Sequence, residues 1–218
     1  MSKQYLNLDL IFKDRNEAGK LLAEKLLLYK LENPIVVALP RGGIIVAKPI
    51  SNLLGASLDL IVSKKIGAPN NPELAIGAVT SLGDYVVAPY SDHELGENKW
   101  DYLQKQIVYL INDCREREQK YRTNNIQTYS YEKRNIILVD DGTATGMTAL
   151  AAIKSIKKHN PLFIVLAIPI ISTEAYKEIS DHVNKIEVLK IPKDFIAVGA
   201  HYKSFDSVSD DEIKKLLK

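Results

Sequence analysis

Two adjacent carboxylates, a run of small and hydroxylated residues and the start of an apolar helix follow one another in Asp140-Asp141-Gly142-Thr143-Ala144-Thr145-Gly146-Met147-Thr148. A helix N-terminus presents N–H groups without intrahelical acceptors and carries a partial positive charge. A loop of Gly, Ala and Thr at that point lets those donors approach a phosphate closely. The hydroxyls of Thr143, Thr145 and Thr148 can add side-chain donors. Asp140 and Asp141 would repel a phosphate held against them, but they can accept hydrogen bonds from vicinal sugar hydroxyls or support Mg²⁺, directly or through water. A phosphorylated sugar meets both demands. A plain capped turn needs one Asp or Thr, not two acids and three threonines in register with two glycines.

A second anion-binding candidate is Pro40-Arg41-Gly42-Gly43, where glycines let backbone N–H groups reach phosphate oxygens and the planar fork of Arg41 can bind them in pairs. Lys64 and Lys65, a charge pair of the kind usually solvated at a strand end, open the polar stretch Lys64-Lys-Ile-Gly-Ala-Pro-Asn-Asn-Pro-Glu73, read as a mobile loop. His93, His159, His182 and His201 are scattered without the spacing of metal ligands. Cys114, the single cysteine, falls on the apolar face of a helical stretch and reads as a buried hydrophobe rather than a nucleophile.

The elements that must carry these residues alternate. Asp14 and Glu17 form a capping-box pattern ahead of Ala18, Leu21, Leu22 and Leu26, which predicts a helix to about residue 29. The proline-bounded apolar run 34–40 predicts a strand buried on both faces, followed by a turn and a helix over 44–54. A strand over 57–63 precedes the polar loop, and 75–80 and 84–89 suggest a hairpin turning at Gly83-Asp84. Trp100, Leu103, Ile107, Leu110, Ile111 and Cys114 mark one face of a long helix from 94 to 122. Strand, helix and strand recur at 135–140, 145–158 and 162–168, with further helix and strand at 172–180 and 185–191. The tail carries Phe195, His201, Tyr202 and Phe205 and ends in a short charged helix. The pattern is that of a doubly wound α/β sheet.

Composition narrows the partners. The chain has 218 residues, 46% hydrophobic and 26% charged, with a formal net charge of +2, so it has no global field that would recruit nucleic acid or an anionic membrane. One cysteine excludes an internal disulfide framework and fits a reducing compartment, the cytoplasm by default. The N-terminus lacks the apolar core of a signal peptide, and the longest apolar runs fall short of a membrane span. A single domain over 1–218 is expected.

The segment IILVDDGTATGMT resembles the signature of type I phosphoribosyltransferases that binds 5-phosphoribosyl 1-pyrophosphate (PRPP). FKDRNEAGKLLAEKL, VALPRGG, KKIGAPNNPELAIGAV and HYKSF with DDEIKKLL extend the resemblance nearly end to end, to a group of such proteins without an assigned acceptor. It implies a doubly wound, mainly parallel sheet with helices on both faces and a small hood, built from the N-terminal arm, residues 192–218, or both. It also implies a Mg²⁺-dependent enzyme that transfers phosphoribosyl from PRPP to a nitrogen nucleophile and releases pyrophosphate. Carried over by position, the catalytic set is Asp140, Asp141 and Lys65, and the 5-phosphate loop is Thr143, Ala144, Thr145, Gly146, Met147 and Thr148. Arg41, Gly42, Gly43 and Lys64 fall in the pyrophosphate site, where the resemblance suggests an unusual peptide geometry. Mg²⁺ would be held through pyrophosphate and ribose, with Asp140 or Asp141 contributing through water.

The signature departs at Gly142 and Thr143, where the family pattern is more apolar. Some 6-oxopurine enzymes carry an acid where this chain has Ala144, which argues against hypoxanthine or guanine transfer by that device. Dimers are common in the family, and the 94–122 helix is a candidate interface. The alternative reading is a sensor that binds PRPP or a nucleotide without turnover. A Rossmann-type dinucleotide fingerprint is absent from the sequence.

Overall fold

The computed structural model describes residues 11–91, 95, 99–122 and 129–217. The first ten residues, His93 and the expected helix start at 94 lie outside them. Five parallel strands form the main sheet in the order β2-β1-β6-β7-β8. They are β1 (Ile35–Ala38), β2 (Ser57–Leu60), β6 (Asn135–Val139), β7 (Phe163–Ile170) and β8 (Lys185–Lys190). All of β1 and nearly all of β6 and β7 are buried, as continuous apolar runs require when both faces are covered.

On one face lie α1 (Arg15–Leu26), α2 (Gly42–Leu54) and the long α3 (Lys99–Tyr121), sharing a core of Leu22, Ile44, Ile50, Leu103 and Val139. On the other lie α4 (Met147–Lys157) and α5 (Thr173–Ser180), which bury Ile153, Ile156 and Ile179 against Ile136 and Leu138. The expected capping at α1 is present: Asp14 accepts the Glu17 N–H at 2.8 Å, and Glu17 accepts the Lys13 N–H at 2.5 Å. Cys114 faces inward from α3, and burial pushes its thiol up to about 12.

The strand order reverses direction at β1 and β6. Chain leaving β1 turns outward to β2, whereas chain leaving β6 winds the other way through β7 to β8. Such a switch opens a crevice at the carboxyl ends of the two central strands.

The stretch Lys64–Glu73 is not the mobile loop its composition predicts. It supplies β3 (Ser63–Ala68) and the start of β4 (Asn71–Thr80), which with β5 (Tyr85–Val87) make a three-stranded antiparallel sheet. Only Pro69 and Asn70 remain as a turn. Gly67 lets the strands close up, since a Cβ there would lie 2.5 Å from the Pro72 carbonyl oxygen. Ala75, Ala78 and Val86 of this sheet pack on Met147, Leu150 and Ala151 of α4.

The tail folds back onto the N-terminal segment. Phe12 donates its N–H to the His201 carbonyl at 2.9 Å and accepts from Lys203 at 2.8 Å, and its ring lies 5.3 Å from that of Tyr202. The tail ends in α6 (Asp210–Leu216), capped by Ser209.

Candidate functional site: the crevice between β1 and β6

Parallel pairing sets Ala38 beside Val139, so the segments that leave these strands emerge together, and the Leu39 N–H donates to the Val139 carbonyl at 2.8 Å. One segment is the 40–43 turn and the other the 140–148 loop. The Pro40–Arg41 peptide is cis. Gly42 and Gly43, expected in the turn, form the first residues of α2, and Arg41 is exposed at its N-cap.

The two glycines are spacers. A Cβ on Gly42 would meet Oδ2 of Asp141, and one on Gly43 would lie 2.8 Å from the Val139 carbonyl oxygen and 3.1 Å from Cα of Asp140. The turn is therefore in contact with the acidic pair, and its first-turn N–H groups lie at the same sheet edge as the carboxylates.

Each carboxylate commits one oxygen to the protein. Oδ1 of Asp140 accepts the Asp141 N–H at 2.8 Å, and Oδ2 of Asp141 accepts Nε of Arg15 at 2.6 Å. The Tyr202 hydroxyl donates to the Asp141 carbonyl at 2.6 Å. Burial, reinforced by the neighbouring Asp141 carboxylate, raises Asp140 well above the ordinary carboxylate range, and the Arg15 guanidinium opposes the rise. The same burial and the Asp141 charge push the Tyr202 phenol up, so it remains a donor.

The 143–148 loop is held by its own hydrogen bonds and by bonds to the chain after β7. Thr143 is tied to the end of β7 by its N–H to the Ile170 carbonyl at 3.1 Å, and its own carbonyl accepts the Ser172 N–H at 3.1 Å. Its Oγ1 accepts the Gly146 N–H at 3.0 Å, and the Ser172 hydroxyl donates to the Ala144 carbonyl at 2.6 Å. Gly146 adopts φ +74°, a left-handed turn suited to glycine, and the first helical bond of α4 runs from Leu150 to Gly146. The N–H groups of Met147, Thr148 and Ala149 thus lie in the first turn of α4, ahead of any intrahelical acceptor. Ala144 and Thr145 are exposed, Met147 is buried and Thr148 is half-buried. Gly142 departs from the apolar pattern because its place is already filled: a Cβ there would lie 2.4 Å from Val198 and 2.7 Å from Ile170.

Both expected lysines are engaged elsewhere. Lys64 pairs with Asp113 of α3 at 2.6 Å, which holds that carboxyl below its usual range, and Lys65 pairs with Glu73 at 2.7 Å on the exposed ribbon. Of the histidines, His159 is exposed, His182 is half-buried and His201 is buried under the tail. Sequence reasoning missed Arg15, Tyr202 as a partner of Asp141, and Ser172. Of these only Ser172 carries a local signal, as the N-cap of α5, where its oxygen accepts the Ala175 N–H.

Comparison with known proteins settles the class. The model of the phosphoribosyl transferase domain matches residues 4–204. The chain belongs to the phosphoribosyl transferase family. A Mycobacterium tuberculosis protein provisionally named a phosphoribosyl transferase is 34% identical over 213 residues, which is 95% of this chain. The chain spans 46% of the length of that relative. A crystal structure from Thermus thermophilus is 37% identical with a TM-score of 0.80, covering 95% of this chain and 98% of that one. An Aquifex aeolicus structure at 14% identity shares the fold alone, with a TM-score of 0.51 over 81% of this chain and 74% of that one. The family fits the doubly wound architecture, and no described helix is long and apolar enough to cross a membrane.

Proposed function

We propose that the chain binds PRPP with Mg²⁺ and transfers its phosphoribosyl group to a nitrogen nucleophile. In that reaction a bond forms from the nucleophile to the anomeric carbon, the bond from that carbon to pyrophosphate breaks with inversion, and pyrophosphate departs. The observation that carries the reading is the close packing of Gly42 and Gly43 on Asp141 and Asp140 at the strand switch point, which supports a turn that receives an anion beside acids that accept hydroxyls.

The residues divide the substrate among them. The N–H groups at the start of α4, with Thr145 and Thr148, hold the 5-phosphate; Asp140 and Asp141 accept ribose hydroxyls; Arg41, Gly42 and Gly43 receive pyrophosphate. Among the described residues no group of three or more His, Cys, Asp or Glu could hold a metal ion. A pair of carboxylates with hard oxygen donors fits Mg²⁺ that takes most of its ligands from substrate and water. When bound there, the ion would neutralise charge on the leaving group. Lys64 and Lys65 would reach pyrophosphate only by exchanging their present carboxylate partners. The tail and the Phe12 segment joined to it form the hood. Cytoplasmic residence belongs to the same proposal.

That both lysines are paired favours one second reading, a sensor that binds PRPP or a nucleotide without turnover. Pyrophosphate release from PRPP and Mg²⁺, measured across purines, pyrimidines and small amines, separates the two. Acceptor-dependent release is expected. PRPP binding without release from any acceptor would give the sensor, and absence of PRPP binding would overturn both.

A further inference from the structure

Arg15 opens α1, 126 residues from the acid it contacts, and nothing in its helix distinguishes it from a solvated arginine. Its guanidinium is held on three sides. Nε donates to Oδ2 of Asp141 at 2.6 Å, Nη1 donates to the Asp206 carbonyl at 2.8 Å, and the carbon of the group sits 3.7 Å from the centre of the Phe205 ring. The side chain is only 11% exposed. The Gly42 backbone completes the junction, because a Cβ there would lie 2.9 Å from Arg15 Nε.

A guanidinium fixed in this way is not a mobile ligand for a departing anion. Its Nε and Nη1 are engaged by a carboxylate and a carbonyl, and its face lies on an aromatic ring, so its position is set by the protein. What it does is define Asp141. Two adjacent carboxylates repel each other, and an unbraced aspartate would turn away from its neighbour. Here Oδ2 is anchored by Arg15, which keeps the carboxylate within side-chain hydrogen-bonding reach of the Asp140 carboxyl. One positive charge among two negative ones also lowers the electrostatic cost of keeping both acids at one sheet edge.

We infer that Arg15 is a positioning residue: braced by Phe205 and Asp206, it fixes the Asp141 carboxylate before substrate arrives, oriented to accept a ribose hydroxyl of PRPP. This rests on the function proposed above. It also ties ribose recognition to the tail, since two of the three braces on Arg15 come from residues 205 and 206. Preorganisation of this kind strengthens binding without adding a contact to substrate.

The test is calorimetric titration of PRPP with Mg²⁺ into the full chain and into Arg15→Gln, Arg15→Lys and Lys25→Gln, with melting temperatures for each. Lys25→Gln removes an ion pair, to Glu187 at 2.5 Å, from the far end of the same helix and serves as the control. Arg15→Gln is expected to weaken PRPP binding about tenfold, the scale of one charge-assisted hydrogen bond. Arg15→Lys should fall between it and the parent, and Lys25→Gln should match the parent. With an acceptor in hand, pyrophosphate release at saturating PRPP should change far less than the affinity. Unchanged PRPP affinity in Arg15→Gln would overturn the inference while leaving the proposed function standing. Equal weakening by Lys25→Gln would overturn it by reducing the effect to helix stability, and a saturated rate that falls more than the affinity would do so by making Arg15 a group that acts on the reacting atoms. A parent protein that fails to bind PRPP would instead remove the proposed function, and this inference with it.

Discussion

Asp141 fills the space that a side chain at Gly42 would need: a Cβ there would lie 1.8 Å from its Oδ2, so the turn after β1 and the acid after β6 pack together only through glycine. At Gly43 the obstacle is different: the nearest atoms are the Val139 carbonyl oxygen at 2.8 Å and Cα of Asp140 at 3.1 Å. The two positions therefore fail in different ways when a methyl group is added. Gly42→Ala meets the Asp141 carboxylate and the Arg15 Nε paired with it, so it should lower the melting temperature by breaking that ion pair and weaken PRPP binding about tenfold or more through a displaced Asp141. Gly43→Ala meets backbone and should cost about 1–3 kcal/mol of stability, the usual range for overpacking. Thermal melts and PRPP titrations on the two variants check the distinction.

Asp140 illustrates a conflict between stability and function. Its carboxyl is protonated more readily in the folded chain than in the unfolded one, because burial and Asp141 disfavour the charge. The unfolded group ionises near ~3.9. Below that pH both states are protonated and Asp140 is neutral in stability terms; as pH rises towards the folded value the unfolded state alone gains its charge, and the native state loses stability. Asp140→Asn cannot ionise and its Oδ1 can still accept the Asp141 N–H. The variant should melt higher than the parent at pH 7, lose that advantage near pH 4, and have no transferase activity. Melting curves at the two pH values with a pyrophosphate assay test all three statements.

Thr143 reads from the sequence as a phosphate donor, and its oxygen also holds the loop together, accepting the Gly146 N–H at 3.0 Å in a buried turn. Thr143→Val keeps the shape and removes the acceptor. It should cost about 1–2 kcal/mol and weaken binding of phosphate-bearing ligands, while Thr143→Ser should restore both. Melting temperature and PRPP affinity in the pair of variants provide the comparison.

The parts of the molecule legible in the sequence are those whose signals are local. Ile35 to Ala38, Ile136 to Val139 and Phe163 to Ile170 are continuous apolar runs, and continuous burial follows from them. The 143–148 loop is readable as a candidate anion site because glycine, threonine and helix start are neighbours in the chain. What escapes is set by distant partners. Lys64, Lys65 and Asn71 look like loop residues but lie in strands; Lys64 sits opposite Val79 in a ladder and is neutralised by Asp113 from another element. The polar face of an edge ribbon carries no hydrophobic alternation to betray it. Arg15 and Tyr202 reach the acidic pair through tertiary packing, and an arginine on the first turn of an amphipathic helix looks the same whether it meets solvent or a carboxylate.

Cys114 supplies a check on the other side of the argument, a reactive residue type that the chemistry does not use. Burial pushes its thiol up to about 12. At pH 8 the folded chain should therefore expose almost no thiolate, and modification by a disulfide reagent should be on the order of a thousandfold slower than in denaturant. Cys114→Ala should bind PRPP as the parent does. Rapid labelling of the native protein, or loss of PRPP affinity in the variant, would contradict this placement.

The most direct measurement is calorimetric titration of PRPP with Mg²⁺ into the full chain and into the Asp140→Asn/Asp141→Asn double variant, at one pH and with both shown to be folded. Saturable binding by the parent, weakened about a hundredfold or more in the variant as two charge-assisted contacts are lost, is the predicted result. Equal affinity in the two proteins, or no binding by the parent, would contradict the assignment of the β1–β6 crevice as a phosphoribosyl site.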